Sequence, residues 1–237
     1  MTVKHEPSTL PPVASQDQPA TPDQQRHRAV TLVLASASPA RLQMLRAAGV
    51  EPVVVVSGVD ESTVESTHPR GLCASLARLK AEAVAERLRD NPGATGTILV
   101  LGCDSVLEFD GEIFGKPVDA GQAIERWRAM RGRTGTLHTG HCVVDARSGR
   151  RAEAVGSTRV TFAEVADEEI GAYVATGEPV RVAGAFTIDG LGAWFVERIE
   201  GDAGTVVGVS LPLLRRLLRE LGCSVPALWG STQASRT

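Results

Sequence analysis

The stretch Thr31–Val50, TLVLASASPARLQMLRAAGV, decides the fold class. Val30 to Ala35 is an apolar run that reads as a buried strand, and Pro39 to Ala48 reads as an amphipathic helix closed by Gly49. Ser38 stands at the N-cap position and Pro39 at the first helical position. A strand feeding straight into a helix is the start of an α/β chain. The same junction raises a chemical question. Free backbone N–H groups and the helix dipole make a helix start an anion site, and Ser36 and Ser38 add small donors without blocking it. Arg41, in the first turn, opposes the dipole unless an anion sits nearby; the alternative is a plain capped helix with an exposed arginine.

Working outward, the alternation continues. Val53 to Val56 reads as a second strand, Leu72 to Leu88 as a long helix with Leu72, Leu76, Leu79 and Leu88 on one face, and Asn91-Pro92-Gly93 as its stop. Thr97 to Cys103 is a third buried strand, and VLEFDGEIF a hairpin turning at Asp110-Gly111. Asp119 caps a helix carrying Ile124, Trp127 and Met130. Strands at Leu137–Asp145 and Glu153–Phe162 flank Arg147-Ser148-Gly149, a short helix ends at Gly177, WFVERI is a strand, and Leu211–Leu221 is the closing helix with Ser210 as N-cap. Alternating strands and helices with hairpins predict an α/β fold around a mixed sheet.

Residues 1–28 are rich in Pro, Gln, Ser and Thr, and read as a disordered tail too polar to offset its ordering entropy. Residues 29–222 form the globular part and 223–237 a loose C-terminal tail, on which Leu228 and Trp229 are the residues able to dock. A hydrophobic content of 43% over 237 residues is enough for a real core. The formal charge of −3 argues against nucleic acid or an anionic membrane as partner. No run is long enough to span a bilayer, and the N-terminus lacks a signal-peptide pattern, so the expected compartment is cytoplasmic. Cys73, Cys103, Cys142 and Cys223 form neither a CxxC pair nor a zinc spacing and read as reduced thiols. His138 and His141 read as structural.

Six polar clusters sit near element ends. Beside Ser36, Ser38 and Arg41 come Asp60-Glu61 after the second strand, Lys80 on the long helix, and Asp104 at the carboxyl edge of the third strand. Lys116 lies in GKP, and Asp189 is the one charge inside the glycine-rich AGAFTIDGLG. Each has a bland alternative: an acidic loop, a surface lysine, a turn cap. Together, carboxylates, three cations and a helix N-terminus suit a polyphosphate with a divalent metal. GxxxxGK[ST] is absent, so this is not a P-loop.

LASASPARLQML, VDES, LARLKAEAVA, LGCDSV, GEIFGKP, EPVRVAGAFTIDGLG and IEGDAGTVVGVSLPLL occur in this order from about Thr31 to Leu221. The chain thereby resembles the Maf family of nucleoside triphosphate pyrophosphatases, also called septum formation inhibitor proteins. The resemblance implies an inosine-triphosphatase-like mixed α/β fold with two lobes around a central cleft. It implies cleavage between the α- and β-phosphates to a nucleoside monophosphate and diphosphate, a divalent cation (Mg²⁺ or Mn²⁺), and frequent homodimers. Ser36, Ser38, Arg41, Lys80 and Lys116 would hold phosphates, Glu61 would bind substrate, Asp60 and Glu61 would be metal ligands, and Asp104 would be the proton acceptor and a metal ligand. Two departures bear on the base. Ala40 replaces the first of two arginines found in members acting on dTTP and UTP, and Asp189 replaces their glutamine. An acid at 189 resembles the branch acting on 7-methyl-GTP and could accept hydrogen bonds from a guanine edge. The resemblance leaves two cellular roles open, division arrest and exclusion of modified nucleotides from nucleic acids. The rivals are a non-catalytic nucleotide sensor in cell division and a phosphatase removing only the terminal phosphate.

Overall fold

A computed structural model describes residues 30–64, 66–89 and 96–229. The tail at 1–28 and the stop at Asn91-Pro92-Gly93 lie outside the described residues. The elements are β1 (Val30–Leu34), α1 (Pro39–Ala47), β2 (Val53–Val54), α2 (Pro69–Arg89), β3 (Thr97–Phe109), β4 (Glu112–Phe114), α3 (Ala120–Met130), β5 (Thr134–Asp145), β6 (Arg151–Phe162), α4 (Asp167–Ala175), β7 (Val196–Glu200), α5 (Ala203–Val207) and α6 (Leu211–Glu220). The sheet runs β2-β1-β3-β5-β6-β7, with β4 also paired to β3. Its β2/β1/β3 part is parallel and the rest antiparallel, the mixed sheet expected of the sequence.

Three strands of twelve or thirteen residues, β3, β5 and β6, run through two lobes. In the first lobe the sheet is covered on both faces. Leu45 of α1 and Leu214, Leu217 and Leu218 of α6 pack with Leu34, Leu99 and Leu101. Ala77, Ala81 and Val84 of α2 pack with Val33, Val100 and Cys142. The second lobe gathers on the far ends of the same strands around Trp127, whose ring meets Phe162, Tyr173 and Phe195 edge-on at 5.6–5.8 Å.

One edge of β3 is shared between the lobes. β1 pairs with Thr97–Leu101 and β4 with Leu107–Phe109. Between them Gly102 to Val106 has no strand on that side. Asp104 therefore lies inside a strand, not at its end as the sequence suggested, because β3 continues along β5 to Glu108. It does lie just beyond the carboxyl end of β1, where the sheet opens.

Several boundaries move. The second strand shrinks to Val53–Val54, with half-exposed side chains. Trp194 and Phe195 belong to a short 3-10 turn, and the strand starts at Val196. The buried face of α2 is Cys73, Leu76, Ala77, Lys80, Ala81, Val84 and Ala85, so of the four leucines only Leu76 is buried. Small residues win because Gly102 and Gly140 face the helix: a Cβ at Gly102 would stand 2.1 Å from the Ala77 carbonyl oxygen, and one at Gly140 2.2 Å from that of Cys73. At the start of the C-terminal tail the two residues able to dock do so. Val225–Leu228 form a turn, Leu228 is buried with Leu45 and Leu218, and Trp229 lies over Gly49. All four cysteines are free thiols. Among the described residues no helix is long and apolar enough to cross a membrane.

Candidate active site

The gap in β3 opens into a cavity of about 1230 Å³ between the lobes. Its floor follows from the glycine contacts. Gly102 and Asp104 are two residues apart and share one face of β3. Because Gly102 lets α2 approach, Lys80 on the buried face of that helix reaches Asp104, its Nζ 2.6 Å from Oδ1. The same ammonium lies 2.8 Å from Glu61 Oε1. Lys80 and Asp104 are 8% and 9% exposed, so this is a buried pair completed by a more open carboxylate. Burial pushes the Asp104 carboxyl above its ordinary range, with Lys80 and Arg41 only partly offsetting it.

Asp60, grouped with Glu61 in the sequence, is placed elsewhere. Its Oδ1 accepts from Ser62 N–H at 3.0 Å and Ser62 Oγ at 2.7 Å, capping the 3-10 turn Glu61–Thr63. The group is exposed, and those bonds hold its carboxyl below the usual range. Glu61 lines the cavity and Asp60 does not.

Ser38 caps α1, its Oγ accepting from Arg41 N–H at 3.4 Å, while Ser36 Oγ accepts from Ser38 N–H at 3.2 Å. Pro39 has no N–H, so Ala40 N–H is the first-turn donor left for a ligand. Arg41 has a structural reason to be there. Its Nε donates to Gly208 O at 2.9 Å, Nη1 to Ser36 Oγ and Cys103 O at 3.0 Å each, and Nη2 to Ser105 Oγ at 3.1 Å. Four of five guanidinium protons are thus used, and the side chain ties α1 to the open edge of β3 and to the α5–α6 turn. Gly208 permits this, since a Cβ there would stand 2.9 Å from Arg41 Nε. Ser105 continues the network to Thr139 Oγ1 at 2.8 Å, which donates to Thr205 O at 2.7 Å.

The opposite wall belongs to the second lobe. Lys116 lies in the loop between β4 and α3, exposed and lining the cavity. Arg181 lines the same wall; as one more charge in a loop it carried no sequence signal. Glu178, also on the wall, is a structural anchor: it accepts from Tyr173 Oη at 2.7 Å, Leu191 N–H at 2.9 Å and Gly192 N–H at 2.8 Å. Burial raises its carboxyl, but these bonds outweigh that and keep it below the ordinary range. Thr187 lines the cavity, whereas Asp189 is exposed and off the wall, accepting from Thr187 Oγ1. His138 and His141 are held by structural partners, Glu108 and Ser157 for the first, Thr139 O and Ser210 N–H for the second.

The structure thus brings Ser36, Ser38, Arg41, Glu61, Lys80, Asp104 and Lys116 to one cavity and leaves Asp60 and Asp189 off its wall. Among the described residues no three His, Cys, Asp or Glu side chains cluster as a closed metal cage. Asp104 and Glu61, converging on one ammonium, are instead a two-carboxylate set that fits a hard divalent cation completing its shell with phosphate oxygens.

Comparison with known proteins gives the same direction. The family model described as "Maf-like protein" matches residues 31–221. A "Nucleoside triphosphate pyrophosphatase" of Salinispora tropica is 68% identical over 198 residues, 84% of this chain and 87% of the relative. Proteins of the same name from Streptomyces avermitilis and Nocardia farcinica are 56% and 53% identical over 207 residues each, covering 87% and 84% of this chain and 97% and 96% of theirs.

Proposed function

The chain belongs to the Maf-like protein family, and from that premise we propose that it is a nucleoside triphosphate pyrophosphatase, releasing diphosphate from nucleoside triphosphates. The observation that carries this reading is the Asp104–Lys80–Glu61 cluster, buried at the floor of a cavity whose walls carry further cations. Asp104 is the general base. A carboxyl raised by burial takes a proton from water more readily than an ordinary aspartate, and it sits where the opening in β3 admits substrate. Water loses its proton to an Asp104 oxygen and attacks the α-phosphorus; the bond to the bridging oxygen of the β-phosphate breaks, and diphosphate leaves.

Lys80 fixes Asp104 and Glu61 and offsets charge on the transferring group. Ala40 N–H and Ser36 at the start of α1, with the last guanidinium proton of Arg41, receive non-bridging oxygens. Asp104 and Glu61 would hold the divalent cation, which when bound neutralises phosphate charge and lowers the pKa of water. Asp189 bears on the base only through Thr187, the residue that reaches the cavity. Pool cleansing of modified nucleotides is the cellular role this chemistry serves most directly.

The test is a diphosphate-release assay over common and modified nucleoside triphosphates, with and without Mg²⁺ or Mn²⁺. Monophosphate plus diphosphate is the expected product pair. Release of orthophosphate alone would make the protein a terminal phosphatase, and tight nucleotide binding without turnover would make it a sensor.

A further inference from the structure

The cavity's formal charge depends on two residues. Arg41 and Lys80 face three wall carboxylates, Glu61, Asp104 and Glu178, so two cations stand against three anions and leave −1. Only Lys116 and Arg181 turn this to +1. Arg41 and Lys80 are also already committed, one to four acceptors and the other to two carboxylates. Among the described residues neither the Lys116 ammonium nor the Arg181 guanidinium has a partner.

The two segments that carry these open cations are tied to each other by a backbone hydrogen bond. Gly115 O, one residue before Lys116, accepts from Gly184 N–H at 3.1 Å, three residues after Arg181. It also accepts from Arg126 Nη1 at 2.7 Å, and that guanidinium stacks over Phe114 at 4.7 Å. The chain after Arg181 makes a costly turn: Gly184 and Ala185 are both left-handed, with φ 70° and 64°. Trp127 Nε1 fastens it by donating to Ala185 O at 2.8 Å. A buried non-glycine residue in that conformation persists only where its surroundings over-determine it.

We infer that Arg181 is a substrate-binding residue, joined with Lys116 into a two-cation grip on the outer phosphates, with the strained turn as its mount. The inference rests on the pyrophosphatase reading for the nature of its ligand and assigns the diphosphate leaving group to the second lobe. A guanidinium there offers paired N–H donors to phosphate oxygens.

The experiment uses the full chain with Arg181→Gln and Arg181→Lys, measuring kcat and KM for nucleoside triphosphate and the Kd of inorganic tripolyphosphate by calorimetry. In Arg181→Gln both KM and the tripolyphosphate Kd should rise about tenfold, more than kcat falls, and Arg181→Lys should recover most of the loss. The salt dependence of KM should flatten in the Gln variant, which a merely structural role would not produce. Wild-type KM and Kd in Arg181→Gln, with diphosphate still released, would overturn the grip and leave the pyrophosphatase reading standing. Tripolyphosphate binding that depends on Arg181, in a protein releasing no diphosphate from any nucleotide, would sustain the grip and remove that reading.

Discussion

The two walls of the cavity hold their positive charge in opposite ways. In the first lobe Arg41 and Lys80 are largely held by the protein's own acceptors, each with one proton left over, and Lys80 is buried. In the second lobe Lys116 and Arg181 have no partner among the described residues, and both are exposed. Groups held by that many partners cannot reorganise much when substrate arrives, so their geometry is set beforehand, as electrostatic catalysis requires. Open groups exchange water for phosphate on binding and contribute affinity. The first wall is built for chemistry and the second for capture.

The strongest way to break that division is at Asp104. Asp104→Asn should cut kcat by about a thousandfold, as expected for loss of a general base, with a much smaller change in KM. Lys80 keeps Glu61 as a partner, and removing a buried carboxyl whose ionisation burial opposes should leave stability unchanged or slightly higher. Single-turnover kinetics and a thermal melt check both halves. A large rise in KM with little loss of kcat would mean that the floor also captures.

Next in size is the packing that creates the floor. A methyl at Gly102 would press on the backbone of Ala77 and Ala81, at 2.1 and 2.8 Å. Gly102→Ala must push α2 outward, costing about 3 kcal/mol, and must part Lys80 from Asp104, so that activity falls with stability. Gly115→Ala is the control on the capturing wall. A Cβ there meets nothing within 4 Å, and stability should stay within about 0.5 kcal/mol. Urea denaturation of both variants decides it. Equal effects would mean that the floor has slack and is not set by close packing.

This pair also explains what was legible in the sequence. Period and punctuation sufficed for all but one of the strands and longer helices, because each element's burial pattern is local; the five-residue α5, Ala203–Val207, was not read. The Ser36–Arg41 junction could be read for the same reason: cap, proline and arginine are neighbours in the chain. Lys80 could not be separated from an ordinary surface lysine by its own helix, since the glycines that bury it lie 22 and 60 residues further on, at 102 and 140. Asp60 and Glu61 are adjacent and chemically alike, yet one caps a turn and the other faces the cavity, a difference of side-chain direction that composition does not carry. Arg181 was invisible because only the tertiary pairing of Gly184 with Gly115 brings its segment to the cavity wall that carries Lys116.

The smallest expected effect uses protons to loosen one wall and spare the other. His141 sits behind the first lobe's network: Nδ1 donates to Thr139 O at 3.0 Å, and Nε2 accepts from Ser210 N–H, the N-cap of α6, at 2.8 Å. Burial holds its pKa down to about 4, from 6.5; Arg41 nearby lowers it further, while Asp202 and the Thr139 carbonyl act the other way. A depressed histidine is neutral when folded. Stability is therefore full above pH 6.5 and is lost as pH falls from 6.5 towards 4, because the unfolded chain takes up the proton first. At pH 5.5 the loss from this group is on the order of 1 kcal/mol relative to pH 7.5. Protonation would also aim a second N–H at that of Ser210, and His141 is joined to Arg41 through Thr139 and Ser105. Lys116 and Arg181 share no link in that chain. Urea midpoints at the two pH values should therefore separate more for wild type than for His141→Gln, while the tripolyphosphate Kd follows the same modest pH trend in both. A Kd that worsened on acidification only in the protein carrying His141 would mean that the walls are coupled, and that capture too depends on the buried network.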